Sequence, residues 1–182
     1  MEPLDSFLIL IADFLGDHLY EGIFLAALLE TIIPPIPTLA VFPTAGFLAY
    51  QQGIPLLGVV PMIILGAIGA TIGTSALYLV ALKLGRVVLL RYLKYVKISE
   101  KKLERVEIWF EKYGDKAVFL GRMVPVMREM ISVPAGLLKM RIPKFVTYTF
   151  AGSCIWSAAT ILSGYYFGEA LGLGTNAMTS LP

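Results

Sequence analysis

The sequence predicts an all-α integral membrane protein in which two opposed re-entrant helical hairpins, together with spanning helices, form an inverted repeat. Three observations predict this class. Hydrophobic residues make up 57% of the chain, and the mean hydropathy is +0.77. All 15 basic residues fall between Lys83 and Lys144. Two long uncharged runs alternate with two apolar stretches that prolines interrupt.

The charge distribution predicts how the chain sits in the membrane. The segment from Lys83 to Lys144 contains six acidic residues beside its 15 basic ones, and the flanking regions contain seven acids and no base. In a soluble protein such a patch would indicate nucleic acid, but the high hydropathy favours a membrane and argues against a nucleic-acid partner. The positive-inside rule then assigns residues 83–144 to the cytosolic side of the plasma membrane.

Two uncharged runs are long enough to cross a bilayer. Ile54–Leu82 has 29 residues and Phe145–Gly168 has 24, and at about 1.5 Å per residue either covers a hydrocarbon core of about 30 Å. Gly66, Gly69 and Gly73 share one face of the first run. This stripe of small residues favours close helix packing, and a groove for the acyl chain of a moving lipid is the alternative.

Two other apolar stretches, residues 20–50 and 117–138, carry charges and are interrupted by prolines. The interrupting residues are Pro34, Pro35 and Pro37 in the first stretch and Pro125 in the second. Each half is too short to span, which predicts re-entrant hairpins. Basic residues flank the second stretch on both sides, so it is expected to enter from the cytosol. The first has acidic or uncharged flanks and is expected to enter from outside.

Two amphipathic segments are predicted to lie at the membrane surface. Phe7–Leu15 is interrupted by Asp13 and is too short to span. Ser99–Tyr113 alternates charges with an apolar stripe of about 3.6-residue period, which predicts a cytosolic interfacial helix whose aromatic side chains act as anchors.

The chain contains an internal repeat with a period of about 90 residues. A charge, prolines, an Ala-Gly pair and an uncharged run follow one another twice. The prediction is a single domain over 1–182, with repeat 1 at about 20–83, the amphipathic cytosolic segment at about 84–115 and repeat 2 at about 116–168. A re-entrant hairpin enters and leaves the membrane on the same side, so each repeat crosses the bilayer once, through its spanning helix. The second repeat is therefore inverted relative to the first.

Three charged residues fall near the tips of the two predicted hairpins: Glu30, Arg122 and Arg128. An unpaired charge at that depth costs several kcal/mol, so they are expected to meet one another or a charged ligand. A structural ion pair is one reading. The excess of arginine, and an expected position of Arg128 beside a half-helix N-terminus after Pro125, favour a phosphate or another anion.

Three segments around these arginines resemble the DedA family, also called the SNARE-associated or VTT-domain family. They are Tyr113–Ala117, Phe119–Arg128 and Val133–Gly136, and the similarity extends over roughly residues 20–170. The resemblance implies two opposed re-entrant hairpins and the transport of a phospholipid or polyprenyl-phosphate carrier lipid, often linked to proton-motive force. It also implies essential roles for Glu30, Arg122 and Arg128. Leu39 stands where the family usually has an acid, which puts proton coupling in question.

Together with this resemblance, the patterns lead to the hypothesis of a lipid flippase or scramblase for an anionic head group, either a polyprenyl phosphate or a phospholipid. In this hypothesis Arg122 and Arg128 bind the phosphate and Glu30 pairs with them in the empty state. No cofactor is expected beyond possible proton coupling. A small-ion or proton antiporter and a structural membrane protein with indirect envelope effects remain alternatives. An enzyme is not expected, because His18 is the only histidine and no metal motif appears. The short chain is compatible with a homo-oligomer. Lipid identity and transport direction stay open.

Overall fold

A computed structural model describes residues 14–30, 38–95 and 100–172, and these residues are helical apart from short turns. Residues 14–17 form a short helical segment. The helices that follow are α1 Leu19–Glu30, α2 Thr38–Gln51, α3 Leu56–Tyr95, α4 Glu100–Tyr113, α5 Lys116–Arg122, α6 Pro125–Met130, α7 Ser132–Leu137 and α8 Ile142–Ala170.

Two of the described helices, α3 and α8, are long and apolar enough to cross a membrane, over Leu56–Lys83 and Ile142–Ala170. The two predicted spans lie in these helices. α3 continues past the first basic residues to Tyr95, so the segment predicted to be cytosolic from about residue 84 begins within the same helix as the first span. Lysine and arginine are good helix formers, so a positive charge marks a change of environment without ending a helix.

The helices beside these two spans are short. α1 has 12 residues and α2 has 14, or about 18 and 21 Å at 1.5 Å per residue, well below the hydrocarbon thickness of a bilayer. In the second half, α5, α6 and α7 have only seven, six and six residues. Pro125 occupies the first turn of α6, where its missing N–H is harmless, and Val124 before it is extended.

The short helices of the first half pack on both spans. α1 packs along α3, and a Cβ added at Gly69 of α3 would lie 2.4 Å from the main-chain oxygen of Phe24 in α1. α2 packs instead along α8, where a Cβ on Gly46 would lie 1.9 Å from the main-chain oxygen of Ile161. Both contacts are backbone against backbone, so glycine is needed at each.

The second half repeats this arrangement with the spans exchanged. α5 packs along α8, and a Cβ on Gly152 would lie 3.1 Å from the main-chain oxygen of Phe119. α7 packs along α3, and a Cβ on Gly136 would lie 2.5 Å from the main-chain oxygen of Tyr78. Each half therefore places one short helix on its own span and one on the span of the other half.

The amphipathic helix α4 begins at Glu100 in the described residues, whereas residues 7–13 of the first amphipathic segment and Ser99 lie outside them. Tyr113 is exposed, as expected of an anchor at the membrane surface. Phe110 differs, since it is only 6% exposed and belongs to an apolar core that also contains Tyr78 and Ala81 of α3. This aromatic residue fixes α4 to the bundle, so its predicted role as a surface anchor was wrong.

Candidate functional site

Glu30 and Arg128 form an ion pair between the two halves of the chain. Glu30 is the last residue of α1, and Arg128 lies in the last turn of α6. The guanidinium Nη2 donates to Glu30 Oε2 at 2.8 Å, and the two side chains are only 10% and 5% exposed. A pair this well shielded is desolvated, so removing either partner alone is expected to be costly.

The second carboxylate oxygen of Glu30 also has a donor. Thr38, the first residue of α2, is 1% exposed, and its hydroxyl donates to Glu30 Oε1 at 2.6 Å. One oxygen of the carboxylate is thus held by a charged donor and the other by a neutral one. The hydroxyl belongs to the same half of the chain as Glu30, whereas the guanidinium of Arg128 belongs to the other half.

Trp156 of α8 lies against the other side of Arg128. The guanidinium carbon is 4.8 Å from the ring centroid, within the range of a cation–π interaction. The face of the indole therefore supports the guanidinium, whose Nη2 donates to Glu30. The indole N–H is buried and has no hydrogen-bond partner among the described residues.

Arg122 has different contacts from Arg128. It is 2% exposed, and its guanidinium donates to the main-chain oxygen of Arg128 at 3.0 Å, to the hydroxyl of Thr74 and to the main-chain oxygen of Ala70 at 3.5 Å. Gly152 of α8 lies against its stem, because a Cβ there would come within 2.6 Å of Arg122 Cβ. The side chain thus links the end of α6 to α3.

These contacts are centred half-way along both spans. Trp156 is 14 residues from either end of α8, and Ala70 is 14 residues from Leu56 and 13 from Lys83, the ends of the apolar part of α3. The charged cluster therefore lies at the same level of the two helices, far from both of their ends. Side chains with charge at such a position are costly in a bilayer and are found where they serve function.

The structure brings together Glu30, Arg122 and Arg128, the three residues singled out from the sequence. Pro34, Pro35 and Pro37 lie outside the described residues. Arg128 follows the break at Pro125 as expected, because α6 begins at that proline, but α6 has only six residues and Arg128 also lies in its last turn. So short a helix has a weak dipole.

Sequence reasoning missed three contact residues: Thr38, Thr74 and Trp156. Two threonines in apolar helices carry no pattern that distinguishes them from helix-packing residues, and the tryptophan is 28 positions from the arginine that it contacts. Leu39, the departure from the family pattern, is 57% exposed and follows the buried Thr38 directly. Among the described residues no group of three or more His, Cys, Asp or Glu side chains is arranged to hold a metal ion.

The helices and the buried charges define a helical membrane protein with a shielded ion cluster between its two spans. Residues 36–166 match the VTT domain. The chain belongs to the DedA family of VTT-domain membrane proteins. It is 30% identical over 168 residues to undecaprenyl phosphate transporter A of Staphylococcus aureus, covering 90% of this chain and 81% of the relative.

Two further relatives have comparable similarity. Undecaprenyl phosphate transporter A of Bacillus subtilis is 34% identical over 150 residues, which cover 82% of this chain and 72% of the relative. An alkaline phosphatase-like protein of Lactococcus lactis subsp. cremoris is 33% identical over 156 residues, covering 82% and 71%. No solved structure matches the chain.

Proposed function

We propose that this protein is a lipid transporter, a flippase or scramblase, that moves an anionic lipid across the plasma membrane by binding its phosphate at Arg128. A polyprenyl phosphate such as undecaprenyl phosphate is the favoured substrate, because two relatives are named as transporters of that lipid. A phospholipid is the other member of the same chemical class. The observation that carries the proposal is the shielded Glu30–Arg128 pair at the midpoint of both spans.

In this proposal α1 with α2, and α5 with α6 and α7, are re-entrant hairpins that enter from opposite faces of the membrane. Their length supports this reading, since α1 and α2 are about 18 and 21 Å long. The ends of the two hairpins meet at Glu30 and Arg128. Irregular backbone at that depth is tolerated only where protein or a polar cavity satisfies it, and the ion cluster supplies such surroundings.

The exchanged packing of the short helices supports an inverted repeat. Gly69 contacts α1 and Gly152 contacts α5, while Gly46 and Gly136 contact the opposite spans. The two halves thus have the same pattern of close approaches. In transporters built this way the substrate site lies between the repeats near the bilayer midplane. Residues 83–144 would then face the cytosol.

Binding is an exchange of anions at Arg128. In the empty state the guanidinium of Arg128 is paired with the carboxylate of Glu30. An incoming phosphate takes the place of that carboxylate. A guanidinium matches the oxygens of a phosphate as well as those of a carboxylate, because its N–H groups form a planar fork. Glu30 keeps its bond from Thr38 during the exchange, and protonation of its carboxylate would favour release of the arginine. That step is where coupling to a proton gradient would act.

The test is lipid transport in reconstituted vesicles, with a polyprenyl phosphate compared with phosphatidylethanolamine. Arg128→Lys keeps the charge but loses the planar fork, so polyprenyl phosphate transport should fall at least about tenfold while the protein remains folded and monodisperse. Wild-type transport by Arg128→Lys would contradict phosphate binding at this residue. Proton or cation flux without added lipid, abolished by the same variant, would favour an antiporter instead.

A further inference from the structure

A groove lies between α2 and α8, and none of its lining residues belongs to the ion cluster. It encloses about 540 Å³ and is lined by Pro43, Thr44, Phe47, Ser163, Gly164 and Phe167. The two helices touch at its base, where a Cβ on Gly164 would lie 1.8 Å from the main-chain oxygen of Pro43. The rings of Phe47 and Phe167, 6.4 Å apart, lie along one part of it.

The groove presents hydrocarbon to an occupant although two of its lining residues have hydroxyls. Thr44 donates to the main-chain oxygen of Ala40 at 2.9 Å, and Ser163 donates to that of Thr160 at 2.7 Å. Each hydroxyl proton is therefore used within its own helix. The remaining lining atoms belong to proline, glycine and two phenylalanines, so the groove suits an apolar ligand.

The groove is aligned with the ion cluster along both helices. Contacts pair Pro43 with Gly164 and Tyr50 with Gly168, so α2 and α8 run in the same direction. Thr38 at the start of α2 and Trp156 half-way along α8 belong to the ion cluster. The groove begins five to seven residues further along each helix, about 8 to 10 Å away at 1.5 Å per residue.

We propose that this groove binds a part of the hydrocarbon chain of the transported lipid that begins about 8 to 10 Å from its phosphate. The inference rests on the proposed function, because it requires the phosphate to bind at Arg128. A head group there leaves the chain about 8 to 10 Å to travel before it enters the groove. The occupant is thus the hydrocarbon chain of the substrate lipid. The groove therefore favours lipids whose chain is long enough to reach it over phosphates with shorter chains.

The experiment fills the groove and compares two ligands that share a phosphate. Thr44→Leu and Ser163→Leu place apolar bulk in the groove at positions with some exposure. Thr147→Leu is the matched control, since this exposed threonine of α8 also donates to a main-chain oxygen four residues earlier, at Pro143, but lies away from the groove. Each purified variant is first compared with the wild type in thermal stability and monodispersity.

The ligands are a long-chain polyprenyl phosphate and geranyl phosphate, whose chain is too short to fill the groove. The wild type should bind the long ligand more tightly. Either groove variant should reduce this preference about tenfold, which at ~25 cal/mol per Å² corresponds to about 55 Å² of apolar contact. Geranyl phosphate binding should stay unchanged, and Thr147→Leu should resemble the wild type in both measurements.

The two proposals fail in different ways. If Arg128→Gln abolishes binding of both phosphates but folded Thr44→Leu and Ser163→Leu keep the wild-type chain preference, the groove inference alone is overturned. If the wild type binds neither phosphate, or if Arg128→Gln binds both as the wild type does, the proposed function is overturned together with the groove. As a second measurement, a photoreactive group on the long chain about 10 Å from its phosphate should label Phe47 or Phe167, and labelling confined to other helices would contradict the inference.

Discussion

The guanidinium of Arg122 donates a 3.0 Å hydrogen bond to the main-chain oxygen of Arg128, the residue whose own side chain pairs with Glu30. Arg122 thereby fixes the backbone from which the second arginine extends, and its contact with Thr74 ties that backbone to α3. Arg128 contacts a carboxylate, for which another anion can substitute. In the proposed function the two arginines therefore have separate tasks: Arg122 holds the site together and Arg128 binds the phosphate, in place of the phosphate binding by both arginines that the sequence predicts.

Arg122→Lys should lower stability more than Arg128→Lys does. A lysine ammonium cannot keep the separate bonds to Arg128 and Thr74 in the same geometry, and the loss of a charged hydrogen bond costs about 1.5 to 3 kcal/mol. Thermal unfolding of both variants in the same detergent would measure this. Equal melting temperatures for the two variants would argue against the role of Arg122 in fixing the backbone at Arg128 to α3.

Glu30→Gln should increase the affinity for phosphate while it reduces transport. The amide has the shape of the carboxylate and can still accept from Thr38, but it no longer competes with an anion for Arg128. An increase in affinity of about tenfold corresponds to about 1.4 kcal/mol. Transport should fall because the returning carboxylate no longer displaces the bound phosphate.

The comparison for this prediction is Glu30→Ala, which leaves a buried guanidinium without the carboxylate and should cost about 3 to 5 kcal/mol of stability. Binding assays with inorganic phosphate and vesicle transport assays would be run on the same preparations. Unchanged affinity, transport and melting temperature in Glu30→Gln would remove the carboxylate from the mechanism.

Thr38→Val should weaken the ion cluster without altering its charge. The substitution keeps the shape of the side chain and removes the bond to Glu30, with an expected cost of about 1.5 to 3 kcal/mol. Thr71→Val is the control, since Thr71 is also buried but donates only to Ala67 of its own helix. Chemical or thermal unfolding should show a larger loss of stability in Thr38→Val than in Thr71→Val. Equal losses would mean that the bond to Glu30 contributes no more stability than a bond within one helix.

Gly164→Ala should disrupt the contact between α2 and α8. The added methyl group would lie 1.8 Å from the main-chain oxygen of Pro43, so the helices must separate. Overpacking typically costs about 1 to 3 kcal/mol, and a backbone obstacle belongs at the upper end of that range. Gly16→Ala is the control, because a Cβ at Gly16 meets nothing within 4 Å. Similar melting temperatures for the two variants would contradict the close approach.

Labelling of single cysteines in a Cys154→Ala background should assign the two sides of the membrane. A cysteine at Lys112 in α4 should react with an impermeant reagent only from the cytosolic side, because it lies in the basic segment. A cysteine at Asn176 should react only from outside. Cytosolic labelling at Asn176 would invert the proposed topology.

The sequence was informative where composition alone decides the structure. Long uncharged runs predicted the two spans, because only an apolar helix of sufficient length can cross a bilayer. Pro125 marked the start of a new helix, because proline fits the first turn of a helix, where its missing N–H is not needed. The three charges of the site were identified by the same reasoning, since a charge in an apolar segment needs a partner.

The remaining details depend on contacts between residues far apart in the chain. Arg122 and Arg128 are equivalent in a charge pattern, and only the contact of Arg122 with α3 and that of Arg128 with α1 distinguish them. The place of Trp156 beside Arg128 likewise follows from how α8 packs. The extension of α3 to Tyr95 was missed because charge reports the solvent around a helix and not where its hydrogen bonds end.

The exchanged packing of the short helices has a consequence for synthesis of the protein. Gly46 of α2 finds its backbone partner at Ile161, 115 residues later, so α2 has no span to pack on when it leaves the ribosome. Contacts between such distant residues form slowly because a long loop must first close. α2 must therefore wait for this partner until α8 has been synthesised. Truncation before α8 should leave α2 accessible to proteases, whatever the state of α1 and α3.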